Sequence, residues 1–147
     1  MLETLSITLD GCSIPWALTG STSFVLQGVP LTPNDIDVQT TEEGAYVIEE
    51  EFAKQVIDPV SFSESEPIRS HFGLLELNDV RIEVIGAVQK RRSDGTWEAP
   101  VDITAHRTFV EFKEHRIPVL SLDYEAKAYD RLGRTERAAL LSEYTDK

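Results

Sequence analysis

The sequence predicts an α/β (α+β) fold in which a mixed sheet of about five strands is flanked by helices, mainly on one face. Short apolar runs alternate with amphipathic helical stretches along the whole of 1–147, which we interpret as one domain. The strongest hairpin signal is the two-residue turn Asn78-Asp79 between residues 72–77 and 80–85. The clearest helix is 42–54, with Thr41 as its cap. A chain of 147 residues is long enough to bury a core of ordinary size.

The other elements follow from local signals in chain order. Two prolines exclude a helix between Gly28 and the second strand, and Gly28 and Gly133 each stand where a helix should end. The predicted helices cover 2–10, 22–27, 42–54, 122–132 and 135–144. The predicted strands cover 14–18, 34–40, 56–63, 72–77 and 80–85, with 107–112 and 117–120 as further short candidates.

Composition narrows the classes of function. The formal charge is −12, from 26 acidic and 14 basic residues, which argues against bulk binding to a nucleic-acid backbone. The basic run 90–92 still allows a small anionic ligand. We interpret the acidic surplus as a solvated surface, with life in high salt as the alternative. No apolar run approaches the ~20 residues that a membrane span needs, and the N-terminus lacks the basic and apolar stretches expected of a signal segment. Cys12 is the only cysteine, so a cytoplasmic location is the expectation.

The predicted hairpin fixes which side chains share a face. Its two-residue turn places Glu76 opposite Arg81, where they can form an ion pair, and Glu83 opposite Leu74, where Glu83 has no partner. Glu83 is therefore the better candidate ligand of the two acids. The opposite face is apolar and must be the core side: Leu75, Leu77, Val80, Ile82 and Val84.

Three carboxylates and a glycine turn form the candidate site. Asp35 and Asp37 stand at i and i+2 of a strand, so their side chains project to one face about 6–7 Å apart. Together with Glu83 they supply the oxygen ligands that Mg²⁺ prefers. The pair Gly20-Ser21 ends a strand and opens a helix, a geometry that favours anions. Taken singly, the turn, the solvated aspartates and an ion-paired Glu83 each have an ordinary structural explanation. Together, three mutually repelling acids are hard to explain without a cation.

The runs 16–24 and 34–38, Trp-Ala-Leu-Thr-Gly-Ser-Thr-Ser-Phe and Asn-Asp-Ile-Asp-Val, resemble the signature of the nucleotidyltransferase superfamily related to DNA polymerase beta. The chain is most similar to the small single-domain prokaryotic minimal nucleotidyltransferases and, more distantly, to aminoglycoside nucleotidyltransferases. The similarity extends over nearly the whole chain, including 69–73, the strand with Glu83 and 117–127.

The resemblance implies a role for each matching position. Gly20 and Ser21 would hold the β- and γ-phosphates of a nucleoside triphosphate. Asp35, Asp37 and Glu83 would be catalytic and would bind two Mg²⁺ ions, which is the cofactor that the resemblance implies. Lys127 matches a position where such proteins place a lysine facing the nucleotide, and Arg69 is a further candidate for nucleotide contact. The chain departs from many members in having no basic residue shortly after Gly20-Ser21.

The implied activity is transfer of a nucleoside monophosphate to a hydroxyl. The acceptor stays open between a small molecule, a side chain of a partner protein as in toxin–antitoxin pairs, and an RNA end, which the charge disfavours. The alternative is a nucleotide-binding interaction module without turnover, such as an antitoxin-type partner. Homo-oligomerisation stays open as well. Two more side chains have competing interpretations: His71 as a core-side residue or a nucleotide contact, and Trp97 as a loop anchor or a stacking platform for a base.

Overall fold

The computed structural model describes residues 2–145, and its centre is a seven-stranded mixed sheet. The strands are β1 (Trp16–Thr19), β2 (Ile36–Thr40), β3 (Val56–Glu64), β4 (Ile68–Leu77), β5 (Val80–Lys90), β6 (Arg107–Phe112) and β7 (His115–Leu120). Their order across the sheet is β3-β4-β5-β2-β1-β7-β6. The pairs β2–β5 and β1–β7 are parallel, and the other neighbours are antiparallel.

Helices cover both faces of this sheet. They are α1 (Leu2–Gly11), α2 (Gly20–Leu26), α3 (Glu42–Glu51), α4 (Ile103–His106), α5 (Leu122–Arg131) and α6 (Thr135–Ser142), with a 3₁₀ turn at Ala53–Gln55. The main core lies between the sheet and helices α1 and α3, where Trp16, Leu18 and Ile48 are buried. On the opposite face, Ala17 packs with Ile103 of α4. Strand alternation therefore sends the even and odd positions of β1 to different layers.

The predicted fold class is confirmed, and the strand count and layering are corrected. The sheet has seven strands instead of about five, because both candidate strands at 107–112 and 117–120 form and extend it beyond β1. Helices do not lie mainly on one face, because α5 covers the face opposite α3. Strands β4 and β5 are also longer than predicted, and the four-residue helix α4 falls in a segment that carried no helical signal.

The hairpin register is confirmed residue by residue. Leu77 pairs with Val80, Glu76 with Arg81 and Leu74 with Glu83. Asn78 and Asp79 have φ values of 49° and 66°, the left-handed pair that a tight hairpin turn requires. Glu76 and Arg81 lie opposite each other as predicted, but within residues 2–145 their side chains do not form the expected ion pair.

The core face of the hairpin is also as predicted. Leu75, Ile82 and Val84 are fully buried, and Leu77 and Val80 pack against them. The cap of α3 is confirmed too, because the Thr41 hydroxyl accepts a hydrogen bond of 2.9 Å from the Gly44 amide. None of the helices in 2–145 is both long and apolar enough to cross a lipid bilayer.

Candidate functional site

The turn from β1 into α2 is built around a glycine that touches Asp37. Gly20 has a φ of +74°, a conformation that glycine adopts without strain. A Cβ at this position would overlap Asp37 Oδ2 and would lie 3.2 Å from Asp37 Cγ. The absence of a side chain at Gly20 is therefore what lets the Asp37 carboxyl group lie against the turn.

Hydroxyl groups tie this turn to the loop that precedes β2. Ser21 Oγ accepts a hydrogen bond of 2.9 Å from the Asn34 amide. Thr22 Oγ1 donates one of 3.2 Å to the carbonyl of Asp35. These two bonds hold Asp35 and the start of β2 beside the first turn of α2.

Asp37 and Glu83 form a carboxyl pair at the centre of the sheet. They are direct partners in the parallel pairing of β2 with β5, so their carboxyl groups lie side by side on one face of the sheet. Burial raises the pKa of Asp37 to about 8, and the hydrogen bond to Glu83 and the charges of Glu83, Asp35 and Glu125 add to this rise. Acids that repel each other in this way favour either a proton or a cation between them.

The residues present fit a divalent cation. Asp37 Oδ1 is buried and has no hydrogen-bond partner within the described chain, so one strong acceptor is left for a ligand. No group of three His, Cys, Asp or Glu side chains within 2–145 is already arranged as a metal cage. Mg²⁺ takes several of its ligands from water and substrate phosphates, so it does not need such a cage.

A second buried acid, which the sequence analysis missed, lies on α5. The Glu125 side chain is buried at 4 % exposure and accepts a hydrogen bond from the Thr19 hydroxyl, next to Gly20 in the chain. Burial raises the pKa of Glu125 to about 7, and the Thr19 hydrogen bond and the Lys90 charge partly oppose that rise. The signal was present in the sequence: Glu125 shares a helical face with Leu122, Ala126 and Tyr129, where an ordinary amphipathic helix has no acid.

A half-buried lysine, also missed, carries a charge that acts on Glu125. Lys90 Nζ donates a hydrogen bond of 3.2 Å to Tyr124 Oη, and burial lowers the pKa of Lys90. Burial together with the charges of Glu125 and Glu98 raises the pKa of the Tyr124 hydroxyl to about 12, so that hydroxyl stays protonated at neutral pH.

Asp37, Glu125, Lys90 and Tyr124 line one cavity between the sheet and α5, which we term the inner cavity. Its volume is about 270 Å³. Its charged lining side chains are Asp37, Lys90, Glu125 and Arg134, and apolar side chains form much of the remaining wall: Ile68, Phe72, Ile85, Val88 and Leu132. Polar groups that converge in a partly apolar cavity are typical of a small-molecule site.

The other two predicted nucleotide contacts lie outside this cavity. Lys127 is on the exposed side of α5, with a side chain 74 % exposed that pairs with Asp123 at 3.1 Å. Arg69 donates to Gln89 at 3.0 Å and lies 4.4 Å above the Trp97 ring. A role for either side chain in binding nucleotide stays a prediction.

Two ambiguous aromatic side chains have structural partners. His71 bonds Tyr46 of α3 at 3.0 Å and lies 3.2 Å from Glu42, so it faces the core-side helix. Trp97 forms a bridge with Arg91 and contacts the Arg69 guanidinium, which anchors the loop after β5. His71 is therefore a core-side residue and Trp97 a loop anchor, which is the structural one of the two interpretations given for each.

The sequence matches the family model of the aminoglycoside-2''-adenylyltransferases over residues 1–144. The chain belongs to this family. A crystal structure of a candidate nucleotidyltransferase from Thermotoga maritima is 47 % identical, with a TM-score of 0.87, and the match covers 99 % of this chain and 90 % of that one. The chain described here is accordingly a nucleotidyltransferase-type enzyme. The resemblance to the nucleotidyltransferase superfamily that the sequence indicated is confirmed. No curated protein gives a significant match.

Two antibiotic adenylyltransferases share the fold at low identity. The lincosamide adenylyltransferase LnuA, solved with lincomycin bound, is 13 % identical with a TM-score of 0.62, covering 98 % of this chain and 96 % of that one. ANT(2'')-Ia, solved with adenylyl-2''-tobramycin, is 12 % identical with a TM-score of 0.59, covering 95 % and 84 %. The seven-stranded sheet with its two helical layers is thus a nucleotidyltransferase fold.

Proposed function

We propose that this protein is a Mg²⁺-dependent nucleotidyltransferase that moves a nucleoside monophosphate from a nucleoside triphosphate to a hydroxyl of an acceptor. The observation that carries the proposal is the contact of Asp37 with both Glu83 and the Gly20 turn. Because of this contact, two mutually repelling carboxyl groups that favour a bound cation lie beside a turn that favours phosphate groups. We place the activity in the cytoplasm.

Each side chain has a defined task in this proposal. Asp35, Asp37 and Glu83 would hold Mg²⁺, two ions with the nucleotide bound, and this metal would supply charge neutralisation for the leaving pyrophosphate and activation of the attacking hydroxyl. The Gly20 and Ser21 amides hold the β- and γ-phosphates. Ser21 Oγ accepts from Asn34 and keeps its own proton for donation to a phosphate oxygen.

The chemistry is an in-line displacement at the α-phosphorus. A bond forms between the acceptor oxygen and that phosphorus, and the bond from the phosphorus to the bridging oxygen of the β-phosphate breaks. Pyrophosphate leaves with the bonding electrons, and the hydroxyl proton passes to a carboxylate of the site. The lincomycin bound to LnuA and the adenylyl-2''-tobramycin bound to ANT(2'')-Ia favour a small molecule over a partner protein as the acceptor.

Asp37→Asn tests the assignment directly. Calorimetric titration of Mg·ATP should show binding that needs Mg²⁺, and the variant should lose it by about tenfold or more because an amide is a weaker ligand for a hard cation. Asp58→Asn on the edge strand β3, where the side chain is exposed, removes the same charge away from the site and should bind normally.

Two outcomes would count against the proposal. Binding that is independent of Mg²⁺ and survives in Asp37→Asn would refute the metal assignment. Binding that never leads to release of pyrophosphate with any hydroxyl compound, water included, would favour the interaction module.

A further inference from the structure

The elements that form the Gly20 turn and carry the two aspartates supply acids but no cationic side chain. Residues 1–53 contain no lysine and no arginine, so β1, α2 and β2 all lack one. The negative charges of Asp35 and Glu125 already act on Asp37. A bound triphosphate adds more negative charge, so a cationic side chain from a later part of the chain would stabilise it in addition to Mg²⁺.

Two cationic side chains within the described chain line the inner cavity, those of Lys90 and Arg134. Lys90 is half-buried, and the charges of Glu98 and Glu125 act on it. Arg134 differs, because it is exposed and no carboxylate oxygen between residues 2 and 145 lies within 4.0 Å of its guanidinium group. A solvated arginine without an ion-pair partner keeps its donors for a ligand.

Packing holds Arg134 close to the helix that begins at Gly20. The Arg134 amide donates a hydrogen bond of 2.9 Å to the Tyr129 carbonyl, and its guanidinium carbon lies 5.6 Å from the centre of the Tyr129 ring. That ring meets the Phe24 ring edge to face, with the two centroids 5.9 Å apart. Phe24 belongs to α2, whose first residue is Gly20. These ring contacts therefore fix the position of Arg134 relative to the turn.

The charges of Asp37 and Arg134 both act on the Tyr129 hydroxyl. Burial raises the pKa of Tyr129, and the charges of Glu125 and Asp37 add to this rise. The charge of Arg134 opposes it. The side chains of Tyr129, Asp37 and Arg134 all border the inner cavity. A ligand beside Asp37 in this cavity is therefore within the electrostatic reach of Arg134.

We infer that Arg134 is a nucleotide-binding residue whose guanidinium group, together with the Gly20 turn, binds the β- and γ-phosphates of the nucleoside triphosphate. The inference rests on the proposed function, because that function places the phosphates in the inner cavity. Arg134 supplies, from the connection between α5 and α6, the positive charge that residues 1–53 lack.

The chemistry of the guanidinium group suits this role. It can donate two parallel hydrogen bonds to phosphate oxygens, which lysine cannot do. Because the β- and γ-phosphates leave together as pyrophosphate, the same contact stabilises the leaving group during transfer.

Magnesium pyrophosphate is the probe that isolates this contact. We would titrate it by calorimetry into the full-length protein, with Mg·ATP in parallel. Arg134→Met should weaken the binding of both ligands by about tenfold or more, because a pair of charge-assisted hydrogen bonds is lost. We expect the variant to fold, since Met keeps an aliphatic stem over the Tyr129 ring. Arg134→Lys should restore part of the affinity, because it keeps the charge without the planar fork.

Arg137→Met is the matched control. Arg137 is also exposed and its charge also acts on Tyr129, but it does not line the inner cavity. This variant removes the same charge from the first turn of α6, and its affinity for magnesium pyrophosphate should stay within about twofold of the wild type.

Three results would overturn the inference while the wild type still binds Mg·ATP: no binding of magnesium pyrophosphate, unchanged pyrophosphate affinity in Arg134→Met, or an equal loss in Arg137→Met. The last result would mean that positive charge near α6, and not a contact, governs binding. Failure of the proposed function looks different, because the wild type would then bind neither ligand, and the inference would fall with it.

Discussion

At the scale of single residues, Asp37 carries the largest electrostatic penalty in the site. Its carboxyl group is mostly buried and touches Glu83, and the charges of Asp35 and Glu125 act on it as well. In the absence of a cation these acids cannot all ionise at low cost. The arrangement is therefore poorly suited to stability alone and well suited to binding positive charge.

This penalty predicts how stability depends on pH in metal-free buffer. The folded pKa of Asp37 is about 8, against 3.8 ordinarily, so between those values the folded state holds more protons than the unfolded state. Stability should therefore fall as pH rises through this window. Asp37→Asn should flatten the decline and raise the Tm by a few degrees at pH near 8. Some slope should persist from Glu125, whose pKa is about 7.

Thermal unfolding in chelator across this pH range is the measurement. Asp58→Asn should give a curve parallel to the wild type, because that side chain is exposed. If Asp37→Asn melted below the wild type near pH 8, the carboxyl group would be stabilising and the repulsion argument would be wrong.

At the scale of elements, the sequence predicted the features that neighbouring residues determine, such as turns and strand register. The Asn78-Asp79 turn fixed the β4–β5 register, and strand alternation then placed Glu83 on the face opposite Leu75 and Ile82, as the structure has it. The contact of Asp37 with Glu83 needs the parallel pairing of β2 with β5, which a sequence pattern indicates only through the family resemblance.

Lys90 shows why the rest of the site could not be predicted. Alternation along β5 from Glu83 would place Gln89, not Lys90, on the site face. Ala87 has a φ of +52° and the β4–β5 register shifts at this point, so the alternation breaks and Val88 and Lys90 line the inner cavity. Glu125 reaches Thr19 across 106 positions of sequence, a separation that no local pattern covers.

The entry into α2 yields a prediction with an internal control. Gly20 and Gly28 both have positive φ, +74° and +96°, so alanine at either position is strained by about 1–2 kcal/mol. A Cβ at Gly28 meets no atom within 4 Å, whereas one at Gly20 overlaps the Asp37 carboxyl group. Gly20→Ala should therefore cost more in urea unfolding than Gly28→Ala and should weaken Mg·ATP binding. Equal effects of the two variants on binding would mean that the approach of Gly20 to Asp37 is not needed.

At the scale of the whole molecule, the net charge favours cations and opposes anions. The net charge of −12 acts over about 8 Å at physiological ionic strength and over about 30 Å at 0.01 M salt. It therefore attracts Mg²⁺ and repels the anionic Mg·ATP complex before either one reaches the site.

This balance predicts how salt affects the rate of nucleotide binding. Because salt screens the repulsion between the acidic protein and Mg·ATP, the association rate should rise about twofold or more between about 0.01 and 0.15 M salt. Stopped-flow mixing of the protein with Mg·ATP measures that rate. Asp58→Asn, which removes one exposed negative charge, should bind faster than the wild type at low salt and lose that advantage as salt rises. An association rate that falls with salt would show that cations close to the site, and not the net charge, govern the approach of the nucleotide.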